Sequence, residues 1–434
     1  MRDLFVLALL GSGFILTLKR PWLGVLVLAF FGYANPHRYA WGFSTTLPVY
    51  QTLLIAAFLA YLQSREKQPL PKDWRIPIFY LLWFWFFITT LASPLGNIAW
   101  SKLWEVSKVY IPLILTLTLI TTPRRLFWLL ATIGLSFGLV AAKGGIFALK
   151  TGFAYRVWGP DGTMYGGNNE FSIATLSALP LLILVFRQLK NSQLWWEKGL
   201  AWVAAACTPL GMASAVSSWS RGGLLSLLAL YLLLWWNSRR KILMGAAALA
   251  AALAAPKFLP EEWFARMETI QTYEQDLSAM GRIQAWRDGI NYIKSHPILG
   301  GGFDGWRYIT QRDWHSSYIE ILAEHGIPGA VLWGALTFGT LLSLTRLIAK
   351  TRKRPDCRLE FDMATMIRAS LVAYLAGSLT LGITYWDLVY QLVFSAILLK
   401  TFLGRKLADN SVAISDTETT PTAGTVGSGS GSSA

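Results

Sequence analysis

The chain has 434 residues, of which 54% are apolar and only 15% charged, with 21 tryptophans. That balance excludes an ordinary soluble domain, in which charged residues make up about a quarter of the chain. The net charge of +15 does not require a nucleic-acid partner, because Lys and Arg gather in a few loops between apolar runs, the pattern that orients a membrane protein.

In chain order, residues 4–18 and 21–33 are apolar segments, each short for a full crossing of a hydrocarbon core about 30 Å thick. Longer apolar runs follow near 45–62, 76–93, 104–120, 125–149, 170–188, 200–219, 222–236 and 241–257. Three more lie near 327–349, 363–384 and 387–403. With no water in a bilayer core to satisfy backbone groups, each run must be helical. Merging 4–18 with 21–33 into one broken element around Lys19-Arg20-Pro21 gives twelve spans and places both termini on one side. The expected fold is therefore all-α and polytopic, with about twelve transmembrane helices. Residues 1–255 and 316–405 carry the helices, and 256–315 form one large polar insert containing amphipathic helices. Residues 406–434 are expected to be a disordered tail, since their Ser, Thr and Gly cannot bury a core, and the final GSGSGSSA reads like a linker. No cleavable signal peptide is apparent. Cys207 falls mid-span and Cys357 in a loop, so no disulfide is expected between them.

Orientation follows from the basic residues. Segments 63–75, 121–125, 187–199, 237–241, 349–362 and the stretch from Lys400 carry 20 Lys or Arg, against 5 in the short loops of the other side. The positive-inside rule puts the first set in the cytoplasm and the insert outside it.

Three basic groups stand out on the outer side. Arg221, in Ser220-Arg221-Gly222, is the only charge between two apolar runs. It is either an arginine snorkelling from a tight turn or an anion site, for which its planar fork suits phosphate. Arg282 lies in an amphipathic stretch where Ile283, Trp286, Ile290 and Ile293 recur at helical spacing. That pattern predicts a helix on the membrane surface, with Arg282 either a solvated charge or a ligand contact. His315 precedes Ser317 and Glu320, which have the spacing of a capping box, so a helix is predicted to start at Ser317 and break near Gly326 and Pro328. A histidine held before a helix N-terminus tends to stay neutral and could accept a proton; the plainer reading is a turn residue. His37, His296 and His325 are read as structural. Asn169 is either a substrate contact or a helix cap. The outer side shows no carboxylate pair spaced for a divalent metal, and no Walker loop, zinc spacing or nucleophile elbow.

Together these residues resemble the core of the O-antigen ligase superfamily. The resemblance rests on Ser220-Arg221-Gly222, Arg282 with Trp286, Pro297-Ile298-Leu299-Gly300-Gly301-Gly302, and the run from His315 to Gly326. It covers roughly 200–345, about a third of the chain. Asn35-Pro36-His37-Arg38, Lys143-Gly144-Gly145, Val157-Trp158-Gly159-Pro160 and Gly167-Asn168-Asn169-Glu170 are similar to the O-glycosylation ligases found with exosortase systems. Many relatives have Asn after the histidine, where this chain has Ser316. The resemblance implies a GT-C-like, metal-independent glycosyltransferase without cofactor in the bacterial inner membrane. It would move a glycan from undecaprenyl diphosphate to an acceptor hydroxyl on the periplasmic side, on lipid A core, on protein or on another glycan. By analogy, Arg221 and Arg282 would bind the donor diphosphate and His315 would activate the acceptor. A transporter of polyprenyl-linked glycans would favour repeated halves and mid-membrane polar groups, and a scaffold would leave the Arg221, Arg282 and His315 grouping unexplained.

Overall fold

The computed structural model describes residues 1–268 and 277–418, and among these no strand occurs. In chain order the helices are α1 (Arg2–Lys19), α2 (Pro21–Ala34), α3 (Val49–Gln63), α4 (Arg75–Leu91), α5 (Asn97–Leu119) and α6 (Pro123–Lys150). They continue as α7 (Asn168–Leu189), α8 (Trp195–Val216), α9 (Arg221–Asn237), α10 (Lys241–Phe258) and α11 (Glu261–Glu268). The last are α12 (Leu277–Ser295), α13 (Trp306–Ile309), α14 (Ser317–Thr351), α15 (Arg358–Gly377) and α16 (Asp387–Glu418). Six of them, α6, α7, α8, α10, α14 and the part of α16 to Asp409, are long and apolar enough to cross a membrane. α7 and α16 are the most enclosed, and side chains such as Phe171, Leu181, Tyr390 and Leu398 have almost no exposed surface. α10 is apolar yet buries no residue. A helix apolar on all sides without protein cover needs an apolar surrounding, which agrees with a multi-pass membrane protein.

The N-terminal segments are two helices, not one broken crossing. Arg20 is extended, and Pro21 starts α2 where its missing N–H costs nothing. The guanidinium of Arg2 donates to the Tyr39 carbonyl at 3.2 Å, so the start of α1 lies beside the loop that follows α2. The pair is a hairpin, and Met1 sits at the end opposite Arg20. At the other terminus, α16 continues through Glu418 instead of giving way to irregular chain near 406; residues 419–434, including the linker-like end, lie outside the described residues.

The loops fall at two ends of the bundle. At one end, Arg125 pairs with Glu66 at 2.8 Å, Arg124 with Glu197 at 2.5 Å and Lys400 with Asp73 at 2.8 Å. This is the end of the basic segments. At the other end, Asn168 donates to Ser218 O at 2.8 Å, Ser93 to Gly301 O at 3.2 Å and the Ser317 N–H to Ser378 O at 2.9 Å. The described part of the insert lies here. Cys207 and Cys357 are both free and buried.

Candidate active site

His315 sits where the chain turns into α14. Its φ of +46° is left-handed, a conformation that non-glycine residues rarely adopt and that must be held by its surroundings. Its chain neighbours hold it. Trp314, just before it, is fully buried and donates its indole N–H to Glu324 Oε1 at 2.9 Å. The Trp314 carbonyl accepts the indole N–H of Trp286 on α12 at 2.8 Å. Just after it, Ser316 is the N-cap of α14. The helix starts at Ser317 as its sequence predicts, but the capping box does not form. Ser317 Oγ donates to Leu381 O at 3.0 Å and accepts from Ile383 N at 2.9 Å, while Glu320 accepts from Thr384 N at 3.0 Å. Both side chains fasten the helix to the 378–386 loop, because that loop offers backbone partners that a free helix end would lack.

The far end of this short helix is equally fixed. Gly326 leaves helical geometry with φ +68°, ahead of Pro328. The N–H groups of Gly301 and Gly302 cap the carbonyls of Ala323 at 2.8 Å and Glu324 at 2.7 Å. A Cβ on Gly326 would lie 2.0 Å from Ile298 O, so the Pro297-to-Gly302 run fits only against glycine there.

His315 Nδ1 is buried and has no hydrogen-bond partner among the described residues. Burial pushes the imidazole below its ordinary titration range, more than the Asp313 carboxylate pulls it back, and the Arg282 charge lowers it further. The ring is thus a neutral, half-buried acceptor with Arg282 within electrostatic range.

Arg282 projects from α12, whose buried residues are Ala285, Gly289 and Ile293. This face packs on the chain around His315: a Cβ on Gly289 would touch Trp314 at 2.8 Å and Ile319 at 3.0 Å. The expected stripe of Ile283, Trp286, Ile290 and Ile293 is only partly right, since Ile290 is 44% exposed. Contact with protein through small residues selects the buried face. Arg282 and Asp313 also lie within electrostatic range of Glu170 on α7.

Arg221 is the first residue of α9, after Ser220, whose hydroxyl accepts from Gly223 N at 3.0 Å. The next two glycines lock this helix start in place: a Cβ on Gly222 would meet Thr380 Oγ1 at 2.3 Å, and one on Gly223 would meet Ser172 Oγ at 2.1 Å. The 378–386 loop therefore touches both the start of α9 and the start of α14. Asn169 lies in the first turn of α7 and is half-buried; the N-cap is Gly167, and the hydrogen-bonding amide is that of its neighbour Asn168. The helix-cap reading of Asn169 is not realised. Arg221, Arg282, His315 and Asn169 all occupy one end of the bundle. Among the described residues, no group of three or more His, Cys, Asp or Glu gathers as a metal site would require.

Sequence reasoning did not single out Asp313, Trp314 or Glu324. The hydrogen bond between Trp314 and Glu324 spans ten residues and a helix start, so no local spacing rule exposes it. His325 is structural, as read, but deeply so. It is fully buried, bonded to Thr89 Oγ1 at 2.7 Å and to the Tyr385 hydroxyl at 2.9 Å, and its ring packs on Phe86 and Phe303. His325→Ala should cost about 2–4 kcal/mol by leaving a cavity and removing two buried hydrogen bonds. A drop in thermal unfolding temperature with normal turnover per folded molecule is expected. An unchanged unfolding temperature would contradict this placement.

The architecture is that of an all-helical, multi-pass membrane protein. Residues 204–334 match the family model described as O-Antigen ligase, and residues 1–190 match a family of unknown function (DUF5935). The first match supports the O-antigen ligase superfamily for its segment of the chain. The same match supports a glycosyltransferase-like activity of the ligase or polymerase type on a lipid-linked glycan, in a membrane setting. A comparison with curated proteins finds no match.

Proposed function

We propose that this chain is a metal-independent, inverting glycosyltransferase that moves a glycan from undecaprenyl diphosphate to an acceptor hydroxyl on the periplasmic side of a bacterial inner membrane. Lipid A core sugar is the acceptor to try first; a growing glycan or a protein hydroxyl would make it a polymerase or an O-glycosylation ligase of the same superfamily. The observation that carries the reading is the buried, unpartnered Nδ1 of His315 within electrostatic range of Arg282, inside the ligase segment.

In the proposed step, the acceptor oxygen bonds to the anomeric carbon on the face opposite the diphosphate. The anomeric carbon–oxygen bond breaks, and its electron pair leaves on undecaprenyl diphosphate. The acceptor proton passes to His315, and the anomeric configuration inverts. Arg221 and Arg282 stabilise the charge that grows on the leaving diphosphate, which fixed donors do best when water is excluded. Asn169, in the first turn of α7, is a possible further substrate contact.

Transfer by purified protein from labelled lipid-linked glycan to lipid A core, peptide or glycan acceptors should proceed in saturating EDTA. Loss of product in EDTA with recovery in magnesium or manganese would overturn the metal-free mechanism. The proposed orientation follows from the 20 basic residues against 5. With α1 and α2 taken as separate crossings, the proposed count is thirteen and Met1 would lie outside. Reporters fused after Gly301 and after Arg354 should read outside and cytoplasm respectively, and a cytoplasmic reading at 301 would reverse the assignment.

A further inference from the structure

Three motifs of the N-terminal portion take no part in the chemistry above, yet they converge on one cavity. Lys143 lies in the last third of α6, next to Gly144, where a Cβ would lie 2.7 Å from Val157 Cγ1, so the Lys143-Gly144-Gly145 and Val157-Trp158-Gly159-Pro160 runs pack directly together. The Asn35-Pro36-His37-Arg38 turn joins them, and Asn35 donates to the Tyr165 hydroxyl at 2.6 Å. Between them lies a cavity of about 530 Å³, within the usual range for a small-ligand site. Four cations line it: Arg2, Arg38, Lys143 and Arg156. Among the described residues none of the four is ion-paired to a carboxylate.

The cations come with aromatic rings. Arg2 lies 3.8 Å over Trp41 and Lys143 lies 4.5 Å over Tyr39, contacts that fix both charges in place. Trp41 is 84% and Trp158 58% exposed. Asp161 also lines the wall. The Asp161 carboxylate can accept from sugar hydroxyls, and exposed indole faces offer apolar surface to a sugar ring. The cavity also adjoins the turn that leads to Arg221. Val157 N donates to Ser217 O at 2.9 Å, and Arg156 lies 5.3 Å over the ring of Trp219.

We propose that this cavity binds an acidic saccharide, a glycan segment bearing carboxylates, beside the Arg221 end of the transfer site. As part of a substrate it rests on the transferase reading, but binding itself can be measured without turnover. The probe is a short oligogalacturonate, with its methyl ester as the neutral counterpart, titrated onto purified protein without donor. The acid should bind at least about tenfold more tightly than the ester, since each charge-assisted hydrogen bond lost is worth roughly a factor of ten. Lys143→Gln with Arg156→Gln should weaken acid binding by a similar factor, with unchanged elution volume and unfolding temperature, while His315→Ala should bind like the wild type. Equal binding of acid and ester, or no binding of either, overturns the proposal. So does a result in which the double variant loses inorganic phosphate or phosphatidylglycerol nanodiscs but keeps the oligogalacturonate, which would assign the cations to a phosphate or lipid headgroup. Saccharide binding without any glycan transfer would refute the transferase reading alone, and transfer without saccharide binding would refute this site alone.

Discussion

His315→Ala should abolish glycan transfer while lipid-linked donor still binds with near-normal affinity. A general base typically contributes about 10²–10⁴-fold in rate, and the loss grows if the ring also positions the acceptor. The separation of the two readouts comes from chemistry: the acceptor hydroxyl must lose its proton, whereas gripping a diphosphate needs no base. The buried, unpartnered Nδ1 is the atom to receive it. Burial holds the His315 imidazole below its ordinary value of 6.5, so the neutral, active form persists into mildly acidic solution. The acid limb of the wild-type rate profile should therefore fall below pH 6.5. Asp313 pulls the value upward, so Asp313→Asn should move that limb to still lower pH. A limb that moves up instead, or normal turnover in His315→Ala, would reduce the histidine to a turn residue capping its helix.

Much of this site is legible in sequence because its parts are local. The Ser220-Arg221-Gly222 turn, the helix start at Ser317 and the break at Gly326 each follow from residues within one helical turn. What sequence does not reveal is long-range. Ser317 and Glu320 have capping-box spacing, yet the 378–386 loop captures both side chains. The buried face of α12 is chosen by the bulk of Trp314, which fits only over Gly289, so the isoleucine stripe misplaces it. Hydropathy alone allowed 4–18 and 21–33 to be one element, and it is the Arg2–Tyr39 contact that makes them a hairpin.

The two arginines offer the last test. Arg221 and Arg282 come from different helices, and in the proposed mechanism they close on the same diphosphate. Lysine at either position keeps the charge but loses the planar fork that makes paired hydrogen bonds to phosphate oxygens. A lost charge-assisted hydrogen bond is worth about 1.5–3 kcal/mol, so Arg221→Lys and Arg282→Lys should each weaken donor binding by about 10- to 100-fold. Neither change should prevent insertion or folding, because the charge and most of the apolar stem remain. If both forks grip one diphosphate, the double variant should depart from the sum of the singles, since two groups on a shared partner do not contribute independently. Additive losses would place them on separate anions. Donor binding at wild-type strength in both single variants would leave Arg221 a snorkelling charge and Arg282 a solvated one, and the diphosphate would have to be held elsewhere.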